Sequence, residues 1–132
     1  MSRIEYGWYD DEKTIILITL PEEWTWTAFD EMGDAVQAMI GTVEHDVYQI
    51  FDLRASEKLP ANPLQYSRRA FTRDVAPNTR MTIGVGLSPY VKSILDAIRR
   101  IMPSAVITRW NLHLVNTLEA AEELIEQDKQ RS

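Results

Sequence analysis

The stretch MTIGVGLSPYVKSILDAI, from Met81 to Ile98, decides the fold. Its first five residues, Met81 to Val85, have the apolar and β-branched character of a short buried strand. Ser88 and Pro89 then mark the start of a helix, because serine caps helices and proline suits their first turn. The apolar residues that follow recur at helical spacing: Val91, Ile94, Leu95, Ile98 and Met102. A strand that leads directly into an amphipathic helix is the building unit of a parallel sheet.

The rest of the chain continues this alternation of strands and helices. Two apolar segments on either side of the polar turn 10–13 predict an N-terminal hairpin. Thr25 or Thr27 can cap the first helix, and Asn116 can cap the last one. The predicted strands cover residues 3–9, 14–20, 47–53 and 81–85, with 105–108 and 112–115 as further strand material. The predicted helices cover residues 26–43, 64–75, 89–102 and the segment after Asn116.

This order predicts one α/β domain over residues 1–132. Its sheet is expected to be a single, mostly parallel layer of about five strands, with the antiparallel hairpin at one edge and about four helices packed against it. Residues 128–132 lack apolar periodicity and are expected to be frayed.

Composition and charge restrict the classes of partner. The chain has 20 acidic and 14 basic residues, a formal net charge of −6 and no cysteine. The negative charge disfavours nucleic acid as a partner, and the missing thiols exclude disulfides and cysteine nucleophiles. No apolar run has the length of a signal peptide or a membrane span. We therefore expect a cytoplasmic protein without stable membrane insertion.

Few residues have the arrangement that catalysis or metal binding requires. Asp52 closes the strand VYQIFDL, at the strand ends where open α/β sheets bind ligands, but no nucleophile accompanies it. His45 and His113 lie far apart and show no metal-ligand spacing. We expect no catalytic residue, no metal site and no cofactor, and hence a protein that is not an enzyme.

Two groups of residues are candidates for binding. Gly86, Leu87 and Ser88 join a strand to a helix, and with the strand ends near Asp52 they form a candidate site for an anionic or other small ligand. The alternative for this turn is close backbone packing beside a capped helix.

The second group lies on the predicted helix 64–75, which has the thinnest apolar stripe. Tyr66, Arg69 and Arg73 follow one another at spacings of three and four, and Asn62 stands in the preceding loop. Tyrosine and arginine are enriched at protein interfaces, so these residues form a candidate partner surface. A solvated helix face is the alternative. Self-association as a homodimer is also expected, because four tryptophans are many for so small a chain.

Most of the chain resembles the STAS family, the domains shared by sulfate transporters and anti-sigma factor antagonists, and in particular a bacterial branch without an assigned activity. The likeness rests on the N-terminal hairpin and on the segments VYQIFDLRAS, MTIGVGLSPYVKSILDAI and LVNTLEAAEELI. The branch is suggested by Trp24-Thr25-Trp26, Met39-Ile40 and Ala76-Pro77-Asn78. Some STAS-like domains approach the lipid-binding CRAL-TRIO architecture in topology.

The resemblance implies a regulatory domain that contacts a protein partner through its second helix and the loop before it. In the family this loop carries a serine that a partner kinase phosphorylates, whereas residues 59–64 here contain neither a hydroxyl nor a glycine. Ser56 lies earlier in the loop and is not assigned that role. We expect a non-catalytic interaction domain without the phospho-acceptor serine. The alternative is a domain that binds an anionic or lipid-like small molecule.

Overall fold

The computed structural model describes residues 3–131 and has the expected α/β architecture. The strands are β1 (Glu5–Trp8), β2 (Ile15–Thr19), β3 (Val47–Asp52), β4 (Thr79–Val85) and β5 (Leu112–Val115). The helices are α1 (Trp26–Ile40), α2 (Pro63–Phe71), α3 (Pro89–Ile101), α4 (Ser104–Thr108) and α5 (Leu118–Arg131). The strands form one sheet in the order β1-β2-β3-β4-β5, in which β1 and β2 are antiparallel and the other pairs are parallel.

The sheet has helices on both faces. On one face, α1 packs its buried residues Met32, Val36 and Ile40 against the β1–β2 half of the sheet. On the opposite face, Ala121 and Ile125 of α5 pack against the aliphatic residues of β3 and β4. The helices α2 and α3 lie on the same face as α1, over the β3–β5 half. This second half of the α1 face holds the candidate site.

Local sequence signals account for the helix starts. The Thr25 side chain accepts a hydrogen bond from the Ala28 N–H, and the Ser88 side chain accepts one from the Val91 N–H. Both caps agree with the sequence, Thr25 being the correct one of the two candidates for α1. The end of α1 differs from the prediction, because the helix ends at Ile40, with Gly41 as its C-cap, rather than at residue 43.

The prediction of strand material at residues 105–108 is wrong, since Ser104–Thr108 is the short helix α4 and the number of helices is five within residues 3–131. Valine, isoleucine and threonine in this segment give a strand signal. However, β5 already occupies the free edge of β4. The segment instead turns directly after Pro103, with a Val106 N–H bond to the Pro103 carbonyl.

The C-terminal helix differs from expectation at both ends. Thr117 caps it rather than Asn116, because the Thr117 hydroxyl oxygen accepts the Ala120 N–H bond at 3.0 Å. At the other end, the segment expected to fray from residue 128 is helical as far as Arg131, and Ser132 lies outside the described residues. Asp128 is held by the Tyr48 hydroxyl at 2.5 Å and the Arg80 Nε at 2.8 Å.

Candidate ligand cavity

The neighbouring strands β3 and β4 carry different kinds of side chain on their two faces. Toward α5 they present large apolar side chains, among them Ile50 and Ile83. Toward α2 and α3 they present Gln49, Thr82 and Gly84, which we call the floor. Parallel strands buried on both faces usually carry large aliphatic residues on both. The floor residues are smaller or polar, so they leave space and hydrogen-bonding groups inside the domain.

Gln49 is the most deeply buried polar side chain of the floor, with 1% of its surface exposed. Its Nε2 donates a hydrogen bond of 2.9 Å to the Thr82 hydroxyl oxygen. Among residues 3–131, no group donates a hydrogen bond to the Gln49 Oε1. The floor therefore presents a free acceptor toward the interior.

The helix α2, which we call the roof, lies over the floor without burying any of its own residues. Its N-terminal end is held by a tryptophan on α1. The Trp26 Nε1 donates a 2.9 Å hydrogen bond to the Ala61 carbonyl, and the Trp26 ring stacks on Tyr66 with centroids 5.5 Å apart. The roof is thus attached at its start by contacts at its outer edge rather than by a packed interior face.

The C-terminal end of the roof and the residues just after it, where the predicted helix 64–75 has already ended, are attached by polar contacts. Arg73 donates hydrogen bonds to Asp30 Oδ1 at 3.0 Å and Asp34 Oδ1 at 2.5 Å. The guanidinium lies so close over Gly33 that a Cβ there would come within 2.8 Å of its Nη1. The Trp110 Nε1 donates a 3.0 Å bond to the Phe71 carbonyl.

Between floor and roof lies a cavity of about 180 Å³. Its walls are almost wholly apolar and come from α1, α2, α3, the sheet and the adjoining loops. Three of the four tryptophans, Trp24, Trp26 and Trp110, are among the wall residues. An apolar cavity of about 150 Å³ is known to accept benzene, so this one has room for a single substituted ring.

The structure places the four residues predicted to bind a partner around this roof. Tyr66 stacks on Trp26, and Arg73 is only 19% exposed because it lies in its ion pairs. Arg69 is 67% exposed, with one oxygen of Asp30 at 3.5 Å. Asn62 is the N-terminal flank of α2 in a left-handed conformation, φ 60°, and its side chain caps nothing. Tyr66 and Arg73 are therefore engaged within the chain, whereas Arg69 and Asn62 face solvent.

Two residues of the predicted anion site, Asp52 and Gly86, lie against Arg54. The Arg54 guanidinium forms two hydrogen bonds with the Asp52 carboxylate, at 2.8 and 2.9 Å, and these bonds lower the pKa of Asp52. Gly86, with φ +69°, lies against the Arg54 side chain. The Ser88 hydroxyl caps α3 and donates to the Glu57 carbonyl. Leu87 points elsewhere, into the wall of the cavity. The Asp52 carboxylate and the Ser88 hydroxyl of the expected anion site are thus engaged within the chain.

The loop serine that the family resemblance leaves unassigned is fully buried. The Ser56 hydroxyl accepts a 2.8 Å bond from the Trp24 Nε1 and donates to the Lys58 carbonyl. Ser56 therefore holds a wall tryptophan of the cavity in place.

The histidines do not converge on a common site. His45 Nε2 lies 2.8 Å from the Lys13 carbonyl, and His113 Nε2 lies 3.1 Å from Asn111 Oδ1. Within residues 3–131 there is no group of three or more histidine or carboxylate side chains that could hold a metal ion. In the same part of the chain, no helix is both long and apolar enough to cross a bilayer.

Sequence reasoning missed Gln49, Thr82 and Gly84. Their signal is visible in the strand TRMTIGV, where Thr82 and Gly84 alternate with large apolar residues, and in VYQIFD, where a glutamine stands within a buried strand. Because the register pairs Gln49 with Thr82 and Phe51 with Gly84, these positions lie on one face of the sheet. Two neighbouring buried strands that share such a face indicate a cavity.

Comparison of the chain with protein-family models, with curated proteins and with solved structures finds no match. The likeness to STAS domains therefore stays a prediction from the sequence.

Proposed function

We propose that this chain is a non-catalytic binding domain, which takes up a small, largely apolar molecule between the floor and the roof. The observation that carries the proposal is the apolar cavity of about 180 Å³ with a buried, half-paired amide at its base. Ligand sites are typically concave and apolar with a small number of oriented polar groups, and this cavity has that composition.

The packing around the cavity supports this proposal. A ligand that fills an apolar space of ring size removes the apolar walls from water, which is favourable in proportion to the area covered. The cavity lies apart from the buried cluster that packs α5 against the sheet, but it shares Leu20, Met32 and Val36 with the cluster that packs α1. A ligand can therefore enter or leave while the packing of α5 stays intact.

The attachment of the roof supports a route of entry. No residue of α2 is buried, whereas α1, α3 and α5 each bury two or three residues, so α2 is held less tightly than those helices. What holds it is a set of edge contacts, chiefly the ring stack at Trp26 and the ion pairs of Arg73. Segments with few buried contacts are the ones that open most readily in native proteins.

Calorimetric titration with p-xylene and p-cresol tests the proposal. Ala70 lies on the roof and lines the cavity, so Ala70→Phe fills part of the space. We expect binding of at least one probe to the wild type, and an affinity at least about tenfold lower for Ala70→Phe. Gln65→Phe places the same ring on the exposed side of α2 and should leave binding unchanged. Absence of binding by both probes to the wild type would overturn the proposal.

A second candidate function is the regulatory interaction domain that the family resemblance implies. The observation in its favour is the solvent side of α2, where Leu64 is 44% exposed and Arg68 and Arg69 are also exposed. This small basic and apolar face belongs to a chain of net charge −6, and suits an acidic partner. In this second candidate, Leu64, Arg68 and Arg69 replace the predicted contact set of Tyr66, Arg69 and Arg73, because Tyr66 and Arg73 are engaged within the chain.

Affinity capture from native lysate tests the second candidate. The variant Arg68→Glu/Arg69→Glu should lose the captured partner. The control Arg99→Glu/Arg100→Glu makes the same charge change at exposed positions of α3 and should retain it. Equal capture by all three proteins would exclude α2 as the contact surface.

A further inference from the structure

The floor and walls of the cavity specify the chemical class of its ligand. Resting on the binding function proposed above, we infer that the ligand is a neutral molecule of about one ring with a hydroxyl or N–H group, which it donates to Gln49 Oε1. Three observations carry this inference: the unpaired amide oxygen, the balance of charge in the wall, and the size of the space.

The first observation is the geometry of the amide. Gln49 is 99% buried, lines the cavity, and its Nε2 donates a 2.9 Å hydrogen bond to the Thr82 hydroxyl oxygen. With Nε2 engaged in this way, the other end of the amide, Oε1, lacks a donor among the described residues. A carboxamide oxygen accepts hydrogen bonds only, so the complementary ligand group is a donor. A ligand without a donor would leave that oxygen buried and unpaired.

The second observation is the charge of the wall. Arg73 is the single charged side chain among the described residues that line the cavity. Its guanidinium already faces two carboxylates, Asp30 at 3.0 Å and Asp34 at 2.5 Å. A carboxylate or phosphate inside the cavity would find no free cation, and a buried unpaired charge is strongly unfavourable. A cationic ligand meets the same difficulty, because both carboxylates are paired with Arg73. Neutral ligands are therefore selected over both kinds of ion.

The third observation is the size of the space. A cavity of about 180 Å³ is somewhat larger than the roughly 150 Å³ that accepts benzene, so it has room for a ring with small substituents. The aromatic walls add favourable edge and face contacts to a ring, Trp24, Trp26 and Phe29 forming one cluster with centroid separations of 4.8 to 5.7 Å. Phenols and indole-like molecules combine this size with a donor.

A set of three probes of similar shape tests the class: p-cresol, which has a hydroxyl, p-xylene, which has a methyl group in its place, and 4-methylbenzoate, which is an anion. Calorimetric titration should show p-cresol binding about tenfold more tightly than p-xylene, and 4-methylbenzoate binding least. The side-chain amide signal of Gln49 in an NMR spectrum should shift with p-cresol, which reports contact at the floor itself.

Two variants separate the donor contact from the cavity. Gln49→Met with Thr82→Val replaces both polar partners by groups of similar shape, an exchange that is close to neutral for stability. In this double variant p-xylene should bind at least as well as in the wild type, and the advantage of p-cresol should vanish. Gln65→Met, an exposed glutamine on the roof, serves as the control and should behave as the wild type.

The outcomes distinguish the two proposals. If neither p-cresol nor p-xylene binds, the binding function itself is wrong. If both bind equally in the wild type and in the double variant, the cavity binds ligands but the donor assignment is wrong. If 4-methylbenzoate binds as tightly as p-cresol, the neutral class is wrong.

Discussion

The ring of Tyr66 lies stacked on the ring of Trp26, with their planes 13° apart and their centroids separated by 5.5 Å. This pair joins α2 to the start of α1, and the same tryptophan donates its Nε1–H to the Ala61 carbonyl. The helix that covers the cavity is thus fixed at its first turn by one indole. Its attachment there depends on a surface contact, since none of its residues is buried.

We expect a favourable coupling free energy of unfolding between Trp26 and Tyr66. Trp26→Leu and Tyr66→Leu should each destabilise the protein, and the double variant should lose about 1 kcal/mol less than the sum. Urea unfolding of the four proteins measures this coupling. In hydrogen exchange, the amides of α2 should exchange faster in either single variant, because the roof opens more often.

Tyr90 provides the control for that cycle. It is 44% exposed on α3, and the ring contacts of Trp26 within residues 3–131 do not include it, so Trp26→Leu and Tyr90→Leu should be additive. Additive effects of Trp26 and Tyr66 as well would mean that the stack contributes nothing to stability.

Because Gly33 lies beneath Arg73, we expect the effect of Gly33→Ala on stability to depend on whether Arg73 is present. Alanine in a helix interior is about 1 kcal/mol more favourable than glycine. At Gly33, however, the new Cβ would displace the Arg73 guanidinium from its place over α1. We expect Gly33→Ala to be nearly neutral in the wild type and stabilising by about 1 kcal/mol in an Arg73→Met background.

Gly41→Ala supplies the matched control. At Gly41, with φ −67°, a Cβ would meet only two carbonyl oxygens at an ordinary 3.5 Å. Its effect should therefore be the same with and without Arg73, as measured by thermal unfolding. A Gly33→Ala effect that is likewise independent of Arg73 would rule out the close contact.

Asp128 makes the stability of the fold dependent on pH in the acid range. The Arg80 guanidinium and then the Tyr48 hydroxyl bind its carboxylate and hold its pKa below the ordinary value of 3.8. A carboxyl with a lowered folded-state pKa stabilises the fold above its unfolded pKa, and this stabilisation is lost as the pH falls through the folded value. Because the Arg80 side chain is 40% exposed, solvent screens this ion pair and keeps the effect small.

Asp128→Asn should therefore lower the stability at neutral pH and flatten its decline below about pH 4. Urea unfolding at a series of pH values between neutral and acid measures both changes. Asp96→Asn removes the same charge from an exposed position of α3 and should leave the shape of the curve intact. An unchanged acid slope in Asp128→Asn would show that this network does not contribute.

The elements that are easiest to predict are those whose signals are local and redundant. Ser88, Pro89 and the apolar stripe of α3 all indicate the same helix, and it forms as predicted. Residues 105–108 show the opposite case. Their strand signal is equally local, but β5 already pairs with β4, and pairing between distant segments cannot be seen in a single stretch of sequence.

The candidate site is harder to predict because it depends on pairing across strands. Gln49 and Thr82 are 33 residues apart and meet only through the register of β3 and β4. The ion pairs of Arg73 are hard to predict for the same reason. A helix that carries arginines resembles a surface for a partner, yet Asp30 and Asp34, which engage Arg73, come from α1. Sequence spacing on one helix cannot reveal a partner on another.

The N-terminus of α5 gives a last prediction, in which two neighbouring residues compete for one role. The Thr117 hydroxyl oxygen accepts the Ala120 N–H bond, whereas the sequence favours Asn116 as the cap. Thr117→Ala should cost about 1 kcal/mol of stability, the usual effect of losing an N-cap, and Asn116→Ala should cost much less. Urea unfolding followed by circular dichroism measures the difference, and a larger cost for Asn116→Ala would place the cap one residue earlier. Since Ala121 and Ile125 of this helix are buried against the sheet, the loss should appear in the global transition rather than as local fraying.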